Sequence, residues 1–476
     1  MVENQWRVET VERFNVKTET MKLTQAFGIR AKEVVALVGG GGKTTTMFRL
    51  ADELVTQGKR VVVTTTTRIF AAQIRLAPYH IFAADEAQAL RDAQAALPMH
   101  PCVLVVGAAS EGGKAFGIEP ALIDALVALD EVDVVLVEAD GSRMRPFKAP
   151  AQHEPVLSTT TTLLVPVVGI SVVGKALNDE HVHRAELVAQ LAGIPLHTVL
   201  EPTHIARVLG HAQGGLKNRP PNARVIPLVN QVEEDAQRAQ ALDIARRLLE
   251  NDAIDAVAIG AVKNAQAPIS RLESRVAAVI LAAGGSTRMR GDAKQLLRWG
   301  DGTLVQNAAQ IAARARVSEI IVVTGNRAEE VTRALAGAPA RIVLNPDWAS
   351  GRASSVRAGI QALSAKTAAA LFINADQPFL TPQVIDALIA RYATTRAAIV
   401  APTFEGQTGS PVLFARELFD ELAALTGDVG GKAMFEKYRA RMETIPIDDA
   451  RAAIDLDTPE DYAHAREMGE GERERE

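Results

Sequence analysis

A stretch of small and cationic residues, from Leu281 to Lys294, offers the groups needed to bind a nucleoside triphosphate. The apolar run from Val276 to Leu281 predicts a buried parallel strand. It leads into Ala282-Ala283-Gly284-Gly285-Ser286, where small side chains let backbone N–H groups approach an anion closely. Arg288 and Lys294 follow, and a guanidinium and an ammonium can stabilise the charge on a departing pyrophosphate. The alternative is a glycine-rich turn with two solvated cations.

Two aspartates that lie far along the chain are each predicted to stand at the end of a strand. Asp376 comes after Leu371–Ala375, and Asp455 comes directly after Ile454. Since open α/β sheets bind ligands at the carboxyl ends of their strands, we expect both carboxylates to share a Mg²⁺ ion. We interpret Asp457 as a helix-capping or turn residue. Further nucleotide contacts are expected from three small residues, Gly325, Ser354 and Ser355.

A second phosphate-binding pattern lies near the start of the chain. An apolar strand from Val34 to Val38 leads into Gly39-Gly40-Gly41-Gly42-Lys43-Thr44-Thr45 and then a predicted helix. Backbone amides and the lysine would bind phosphate, and the Thr44 hydroxyl would bind Mg²⁺. A complete P-loop motif has glycine where this chain has Leu37, so the loop is a shortened variant. The alternative is a glycine-rich turn.

Another apolar strand, from Val132 to Val137, ends in the carboxylates Glu138 and Asp140. Carboxylates at a strand end opposite a phosphate loop are a usual source of a Mg²⁺ ligand and a water-orienting base. We therefore predict that both belong to the metal site of the glycine loop, with a plain turn as the alternative.

Three other segments leave their roles open. A cationic segment with Arg143, Arg145 and Lys148 could bind an anion or be solvated. His181 and His183 would share one face of a strand, but a capping or surface role is favoured over metal binding. Asn230-Gln231-Val232-Glu233 is similar to the Asn-Lys-x-Asp motif by which GTPases bind guanine. Because glutamine replaces its lysine and glutamate its aspartate, we do not infer guanine specificity from it.

Composition argues against several classes of function. A net charge of −5 and an aromatic content of 4% do not suit a nucleic-acid-binding protein. The single cysteine, Cys102, excludes an intrachain disulfide framework and a multi-thiolate zinc site. The single cysteine agrees with a reducing cytoplasm, and no apolar run is long enough to span a bilayer, so we expect a cytoplasmic protein without a membrane partner.

Alternating strand and helix patterns predict an α/β fold in two domains. A P-loop-like domain with a parallel sheet is expected at 26–267, and a Rossmann-like domain at 276–468. The charged, proline-containing residues 268–275 are predicted to be a linker. Residues 1–25 are expected to be a polar leader, and 469–476 a disordered tail of glutamate, glycine and arginine only.

The motif formed by Leu281-Ala282-Ala283-Gly284, Arg288-Met289 and Lys294 resembles that of the MobA-like nucleotidyltransferases, and most closely the molybdenum cofactor cytidylyltransferases. Arg290 departs from it, since the family usually has glycine directly after Arg-Met. The resemblance implies a GT-A type fold and Mg²⁺-dependent transfer of CMP from CTP to the phosphate of the molybdopterin cofactor. The alternatives are a GTP-using guanylyltransferase and a sugar- or alditol-phosphate nucleotidyltransferase.

Residues 33–265 resemble the YqeC family of accessory proteins of selenium-dependent molybdenum hydroxylases. The similarity includes the glycine loop with Lys43-Thr44-Thr45, Val137-Glu138-Ala139-Asp140-Gly141-Ser142-Arg143 and Asn178–Arg184. It implies an accessory domain that binds ATP or another nucleoside triphosphate, with a molybdenum hydroxylase or its maturation factors as partners. The alternative is a carrier module that holds the cofactor without catalysis.

Overall fold

The computed structural model describes residues 21–70, 74–110, 114–285, 289 and 293–473. These residues form two compact units, one that ends at Ser274 and one that begins at Arg275. Two residues of the predicted nucleotide site, Ser286 and Arg288, lie outside the described residues, as does Arg290. No helix in the described ranges is long and apolar enough to cross a membrane.

The N-terminal unit contains a large sheet and helices on both of its faces. Its strands are β1 (Glu33–Gly39), β2 (Val61–Thr65), β3 (Ile69–Phe70), β4 (Tyr79–Ala83), β5 (Cys102–Gly107), β6 (Ala109–Ser110), β7 (Lys114–Ala115), β8 (Val134–Glu138), β9 (Phe147–Lys148), β10 (Leu163–Gly169), β11 (Val182–His183), β12 (Arg224–Val225), β13 (Leu228–Asn230), β14 (Ala256–Gly260) and β15 (Ile269–Ser274). Its helices are α1 (Leu23–Phe27), α2 (Lys43–Thr56), α3 (Glu86–Ala96), α4 (Pro120–Ala128), α5 (Ala185–Ala192), α6 (Pro202–Leu209) and α7 (Asp235–Leu249).

The main sheet of this unit has the strand order β15-β14-β13-β10-β1-β8-β2-β5-β4, and β12 pairs with β10. Its strands pair in parallel except for β14 with β15. The central strand β1 sends Val34 and Ala36 into one core and Val35 and Leu37 into the other. Burial on both faces explains why the strand is a continuous apolar run in the sequence.

The C-terminal unit is a mixed sheet with helices on both faces. Its strands are β16 (Val276–Ala282), β17 (Arg298–Trp299), β18 (Gly302–Thr303), β19 (Glu319–Thr324), β20 (Arg341–Leu344), β21 (Ala369–Asn374), β22 (Ile399–Phe404), β23 (Gln407–Thr408), β24 (Val412–Ala415) and β25 (Met442–Pro446). Its helices are α8 (Leu304–Arg314), α9 (Ala328–Ala334), α10 (Arg352–Gln361), α11 (Pro382–Thr395), α12 (Phe419–Ala423) and α13 (Pro459–Arg473).

The eight-stranded sheet of this unit has the order β20-β19-β16-β21-β24-β22-β23, with β25 beside β22. Strands β20, β19, β16 and β21 run parallel, whereas β24 is antiparallel to both of its neighbours. The parallel ends therefore meet at one edge, where open α/β sheets bind ligands. The predicted α/β class is confirmed for both units.

The predicted linker is wrong, because Ile269–Ser274 forms the edge strand β15, antiparallel to β14. Ile269 and Leu272 are buried. Two of the three charges that suggested a linker belong to Arg271 and Glu273, which pair with each other at 2.7 Å. A local ion pair lets a charged sequence form an edge strand.

The predicted ends of the two domains also differ from the structure. Residues 23–25 belong to α1 rather than to a leader, because Leu23 and Phe27 are fully buried. Residues 469–473 continue α13 rather than forming a disordered tail. The helix is anchored by Ala465, which packs in a small core with Leu304 and Leu456, and glutamate and arginine are good helix formers beyond it.

Candidate functional site

The turn after β16 lies beside the carboxyl ends of β19 and β21. The backbone N–H of Asn326 donates to the Ala283 carbonyl at 3.1 Å. A Cβ atom on Gly325 would lie 2.5 Å from the Trp348 Cβ atom, so this glycine allows the close approach of two loops. Among the described residues, no atom lies within 4 Å of a Cβ atom built on Gly284. The turn is thus held at Ala283.

Lys294 begins a 3₁₀ turn, and its ammonium lies between two carboxylates. It donates to Asp376 and, at 3.0 Å, to Oδ1 of Asp457. Burial alone would lower the pKa of Lys294, but the charges and hydrogen bonds of the two aspartates raise it above its ordinary value. The lysine is therefore cationic at neutral pH.

The structure brings Asp376 and Asp455 to the same place, although Asp455 follows the 3₁₀ turn Ala450–Ala453 and not a strand as predicted. The backbone N–H of Leu456 donates to the Asp376 carbonyl at 3.1 Å, and Asn374 Nδ2 donates to Asp455 Oδ1 at 3.4 Å. Burial, and then the negative charge of Asp376, raise the pKa of Asp455 to about 6. The charge of Asp376 thus opposes the ionisation of Asp455.

The two aspartates fit a divalent cation that also binds substrate oxygens. Asp376 is 7% exposed, and its Oδ1 has no hydrogen-bond partner among the described residues. A cation would satisfy this oxygen and relieve the repulsion between Asp376 and Asp455. The described part of the chain has no group of three or more histidine, cysteine or acidic side chains arranged to hold a metal. Mg²⁺ commonly uses one or two carboxylates together with substrate phosphates.

The interpretation of Asp457 as a capping residue is wrong, because its carboxylate binds Lys294. Thr458 caps the helix, since its hydroxyl accepts from the Asp461 backbone N–H at 3.1 Å, and the Asp461 carboxylate accepts in return from the backbone N–H groups of Asp457 and Thr458 at 3.2 and 2.9 Å. The spacing of Asp455 and Asp457 contained a signal for this role. Residues two apart in an extended segment point to the same side.

Ser354 and Ser355 do not face an open site. Both are buried, and their hydroxyls accept from Asn345 Nδ2 at 2.8 and 3.0 Å. They join the start of α10 to the end of β20, so the structure contradicts their predicted contact with the nucleotide. The exposed polar residue at the start of α10 is Arg352, which sequence reasoning missed.

The glycine loop of the N-terminal unit follows β1 and is closely packed. Gly39, Gly41 and Gly42 have φ values of 91°, 80° and 123°, which side chains rarely adopt. A Cβ atom on Gly41 would lie 2.1 Å from the Gly169 nitrogen. Asn230 supports the loop, since its Nδ2 donates to the Gly41 carbonyl at 2.8 Å and its Oδ1 accepts from Val262. Its hydrogen bonds are thus to the backbone of the loop and of Val262.

The structure brings Lys43 and Thr44 to the two predicted carboxylates. Lys43 is 3% exposed, donates to the Gly39 carbonyl at 2.6 Å and pairs with Asp140 at 3.3 Å and Glu138 at 3.7 Å. The Thr44 hydroxyl donates to Glu138 at 2.7 Å. A phosphate on the loop amides would compete with these carboxylates for Lys43. Thr45 and Gly40 belong to the same loop and helix start.

A buried chain of ion pairs extends from this site through Asp140, Lys148, Glu154 and Arg184. Asp140 pairs with Lys148 at 3.0 Å, Lys148 with Glu154 at 2.6 Å, and Glu154 with Arg184. Burial opposes ionisation, but hydrogen bonds from Arg184 and Lys148 lower the pKa of Glu154 to about 2. Lys148 is therefore an internal residue, which removes it from the solvated segment considered above.

His183 lies beside this chain, in parallel register with Lys148. Burial and the positive charges of Arg184 and Lys148 lower the pKa of His183 to about 4. The imidazole is thus neutral at physiological pH. Within the described ranges, neither His183 nor His181 belongs to a metal-binding cluster.

Two family models match the chain. Residues 35–186 match the family described as YqeC protein, and residues 278–442 match the MobA-like NTP transferase domain. The protein named Uncharacterized protein YqeC from Escherichia coli (strain K12) is 33% identical over 230 residues, which cover 48% of this chain and 88% of that protein.

Two further relatives match the C-terminal unit. The molybdenum cofactor cytidylyltransferase of Escherichia coli (strain K12) is 30% identical over 202 residues, which cover 41% of this chain and 97% of the relative. The nicotine blue oxidoreductase of Paenarthrobacter nicotinovorans is 29% identical over 191 residues, which cover 39% of this chain and 93% of the relative. The chain therefore belongs to the YqeC family through its N-terminal half and to the MobA-like NTP transferases through its C-terminal half.

Proposed function

We propose that the C-terminal unit transfers CMP from CTP to the phosphate of the molybdopterin cofactor and releases pyrophosphate. The observation that carries this proposal is the meeting of Lys294, Asp376 and Asp455 beside the turn that follows β16. The similarity to the Escherichia coli molybdenum cofactor cytidylyltransferase supports both the nucleotide and the acceptor.

In this reaction an oxygen of the acceptor phosphate attacks the α-phosphorus of CTP. The bond between that phosphorus and the β-phosphate oxygen breaks, and pyrophosphate leaves with the electron pair. The attacking phosphate is already ionised at neutral pH, so it needs no general base. Lys294, Arg288 and the amides of residues 282–286 would stabilise the charge that develops on the leaving group.

Asp376 and Asp455 would hold Mg²⁺, which supplies positive charge to the phosphate oxygens when it is bound. Asp457 does not need to bind the metal. Because it shares Lys294 with Asp376, it would fix the ammonium at the edge of the site. Lys294 could then contact phosphate oxygens without a large rearrangement.

The test uses the full chain with Mg²⁺, molybdopterin, and CTP or GTP at equal concentration. We expect pyrophosphate release with CTP, and a product whose mass corresponds to molybdopterin plus CMP. Asp376→Asn should reduce kcat by roughly 100- to 1,000-fold, the usual cost of losing one transition-state charge contact. Asp420→Asn, which changes an exposed aspartate of α12, is the matched control.

The alternatives give different results in the same assay. A preference for GTP would reverse the assignment of the base. Transfer to a sugar or alditol phosphate, with none to molybdopterin, would contradict the proposed acceptor. The sequence similarity to nicotine blue oxidoreductase makes this direct product analysis necessary.

For the N-terminal unit we propose an accessory role in maturation of a molybdenum hydroxylase, with ATP or another nucleoside triphosphate bound at the glycine loop. The support is the arrangement of Lys43, Thr44, Glu138 and Asp140 around that loop. Mg²⁺ would bind at Thr44 and the two carboxylates. The competing hypothesis is a carrier that holds the cofactor, or a selenium-modified form of it, without turnover.

ADP formation from ATP by the full chain separates these hypotheses. We expect turnover by the wild type and its loss in Lys43→Ala. Lys59→Ala changes an exposed lysine just after α2 and should behave as the wild type. Cofactor binding without ADP formation in the wild type would favour the carrier.

A further inference from the structure

Arg352 presents a cation at the edge of the C-terminal sheet that holds the two aspartates. Its side chain is exposed, and its Nη2 atom donates to Oδ1 of Asn374. Asn374 donates in turn to Asp455 Oδ1. The guanidinium is thus two hydrogen bonds away from a proposed metal ligand.

The guanidinium is held by a neutral amide rather than by an acid. Within the described ranges, no carboxylate lies at ion-pair distance from it. The carboxylate of Asp428 accepts from the backbone N–H of Arg352 at 3.4 Å. A guanidinium carries five N–H donors, so donors remain beyond the contact with Asn374. These donors can bind an anion without first breaking an ion pair.

A second glycine-rich loop, residues 427–431, lies directly beside Arg352. The backbone N–H of Ala353 donates to the Gly427 carbonyl at 3.1 Å. A Cβ atom on Gly351 would lie 2.4 Å from the Gly427 carbonyl carbon, and one on Gly430 would lie 3.2 Å from Arg352 Nε. The loop therefore meets the start of α10 through glycines, and the Arg352 side chain beside it is exposed.

The proposed reaction needs a cation at this position. A phosphate monoester with a charge of about −1.5 to −2 at pH 7 must approach the triphosphate of CTP, which repels it. Lys294 is already shared by Asp376 and Asp457. Another cation at the same edge would offset the repulsion and orient the attacking oxygen.

We infer that Arg352 binds the terminal phosphate of the acceptor through two parallel N–H···O hydrogen bonds, with Asn374 holding the guanidinium in place. Such a fork matches the geometry of a phosphate, which a lysine contacts only as a point charge. This inference rests on the proposed function, because it names the part of the acceptor that the same site recognises.

The test compares wild type, Arg352→Met and Arg352→Lys as full chains, with pyrophosphate release as the readout. For Arg352→Met we expect the KM for molybdopterin to rise by about 10- to 100-fold, the range for hydrogen bonds to a charged group. The KM for CTP should change by less than about twofold, because the donors removed do not contact the triphosphate. Arg352→Lys should give an intermediate KM for molybdopterin. Arg439→Met, which removes an exposed arginine of a 3₁₀ turn, is the control.

The possible failures are distinguishable. Absence of product from the wild type with either nucleotide refutes the proposed function itself. An active wild type with an unchanged KM for molybdopterin in Arg352→Met refutes the inference alone. Equal increases in both KM values also refute it, since they would show a general loss of site geometry. A lysine variant equal to wild type would refute the forked contact.

Discussion

Replacing Glu154 by glutamine is expected to destabilise the N-terminal unit by about 3 kcal/mol at pH 7. The carboxylate is buried between Lys148 and Arg184, whose hydrogen bonds lower its pKa from 4.5 to about 2. A shift of this size corresponds to about 3 kcal/mol. Breaking a buried ion pair by removing one partner usually costs about 3–5 kcal/mol, which agrees with this magnitude.

The pH dependence gives a second, independent expectation. Because the pKa in the folded state is below that of the unfolded chain, the stabilisation is complete above pH 4.5 and is lost as the pH falls toward 2. At pH 3 the wild type should have lost about 2 kcal/mol of this contribution. The difference between wild type and variant should therefore narrow to about 1 kcal/mol.

Hydrogen exchange measured by mass spectrometry suits this prediction, since it reports each unit of the full chain separately. Peptides that cover residues 145–190 should show the loss, and peptides beyond residue 275 should not. Glu180→Gln is the matched control, because Glu180 is exposed in the same region. Equal protection of the wild type and Glu154→Gln at pH 7 would refute the reasoning, and so would a difference that stays constant down to pH 3.

Three further predictions concern the two sites. Gly41→Ala should abolish ATP binding measured by calorimetry, because its Cβ atom would overlap the end of β10, whereas Gly58→Ala has a similar φ of 78° and open space and should bind normally. Asn230→Ala should lower the protection of amides 39–44 against hydrogen exchange by about 1–3 kcal/mol, because it leaves buried backbone groups unpaired. Asp457→Asn should lower kcat/KM for pyrophosphate release by about tenfold, less than Asp376→Asn does, because Lys294 keeps its other partner; an effect as large as that of Asp376→Asn would contradict this order.

The parts of the fold that could be predicted depend on neighbours in sequence. The strand before Gly39 and the strand before Ala282 are continuous apolar runs that end in small residues, so their type and their ends are local properties. The position of Asp376 followed from a general rule about strand ends, whereas Asp455 follows the 3₁₀ turn Ala450–Ala453 rather than a strand. Sequence reasoning therefore located the glycine loop, its two carboxylates and Asp376 for the expected reason, and paired Asp455 with Asp376 for the wrong one.

The errors concern partners that are remote in sequence. Ser354 and Ser355 have hydroxyls that could bind a ligand, but both hydroxyls accept from Asn345. No pattern in the neighbouring sequence predicts that contact. Asp457 was assigned to a cap that Thr458 and Asp461 form, and the competing ion pair comes from Lys294, 163 residues away. The prediction of a linker at residues 268–275 failed for the same kind of reason. Charged residues there suggested an exposed linker, but Arg271 and Glu273 form an ion pair on the edge strand β15.

The edge strand β15 has a practical consequence for dissecting the protein. Only Arg275 separates it from β16, so a cut at residue 267 or 270 would take most of a strand from the N-terminal fragment. The backbone groups of β14 would lose their hydrogen-bond partners in β15. Water would enter the part of the core that Ile269 and Leu272 fill. Such a fragment would be prone to precipitate, and its inactivity would say nothing about the phosphate loop. A cleavage site placed immediately after Ser274 keeps both sheets whole.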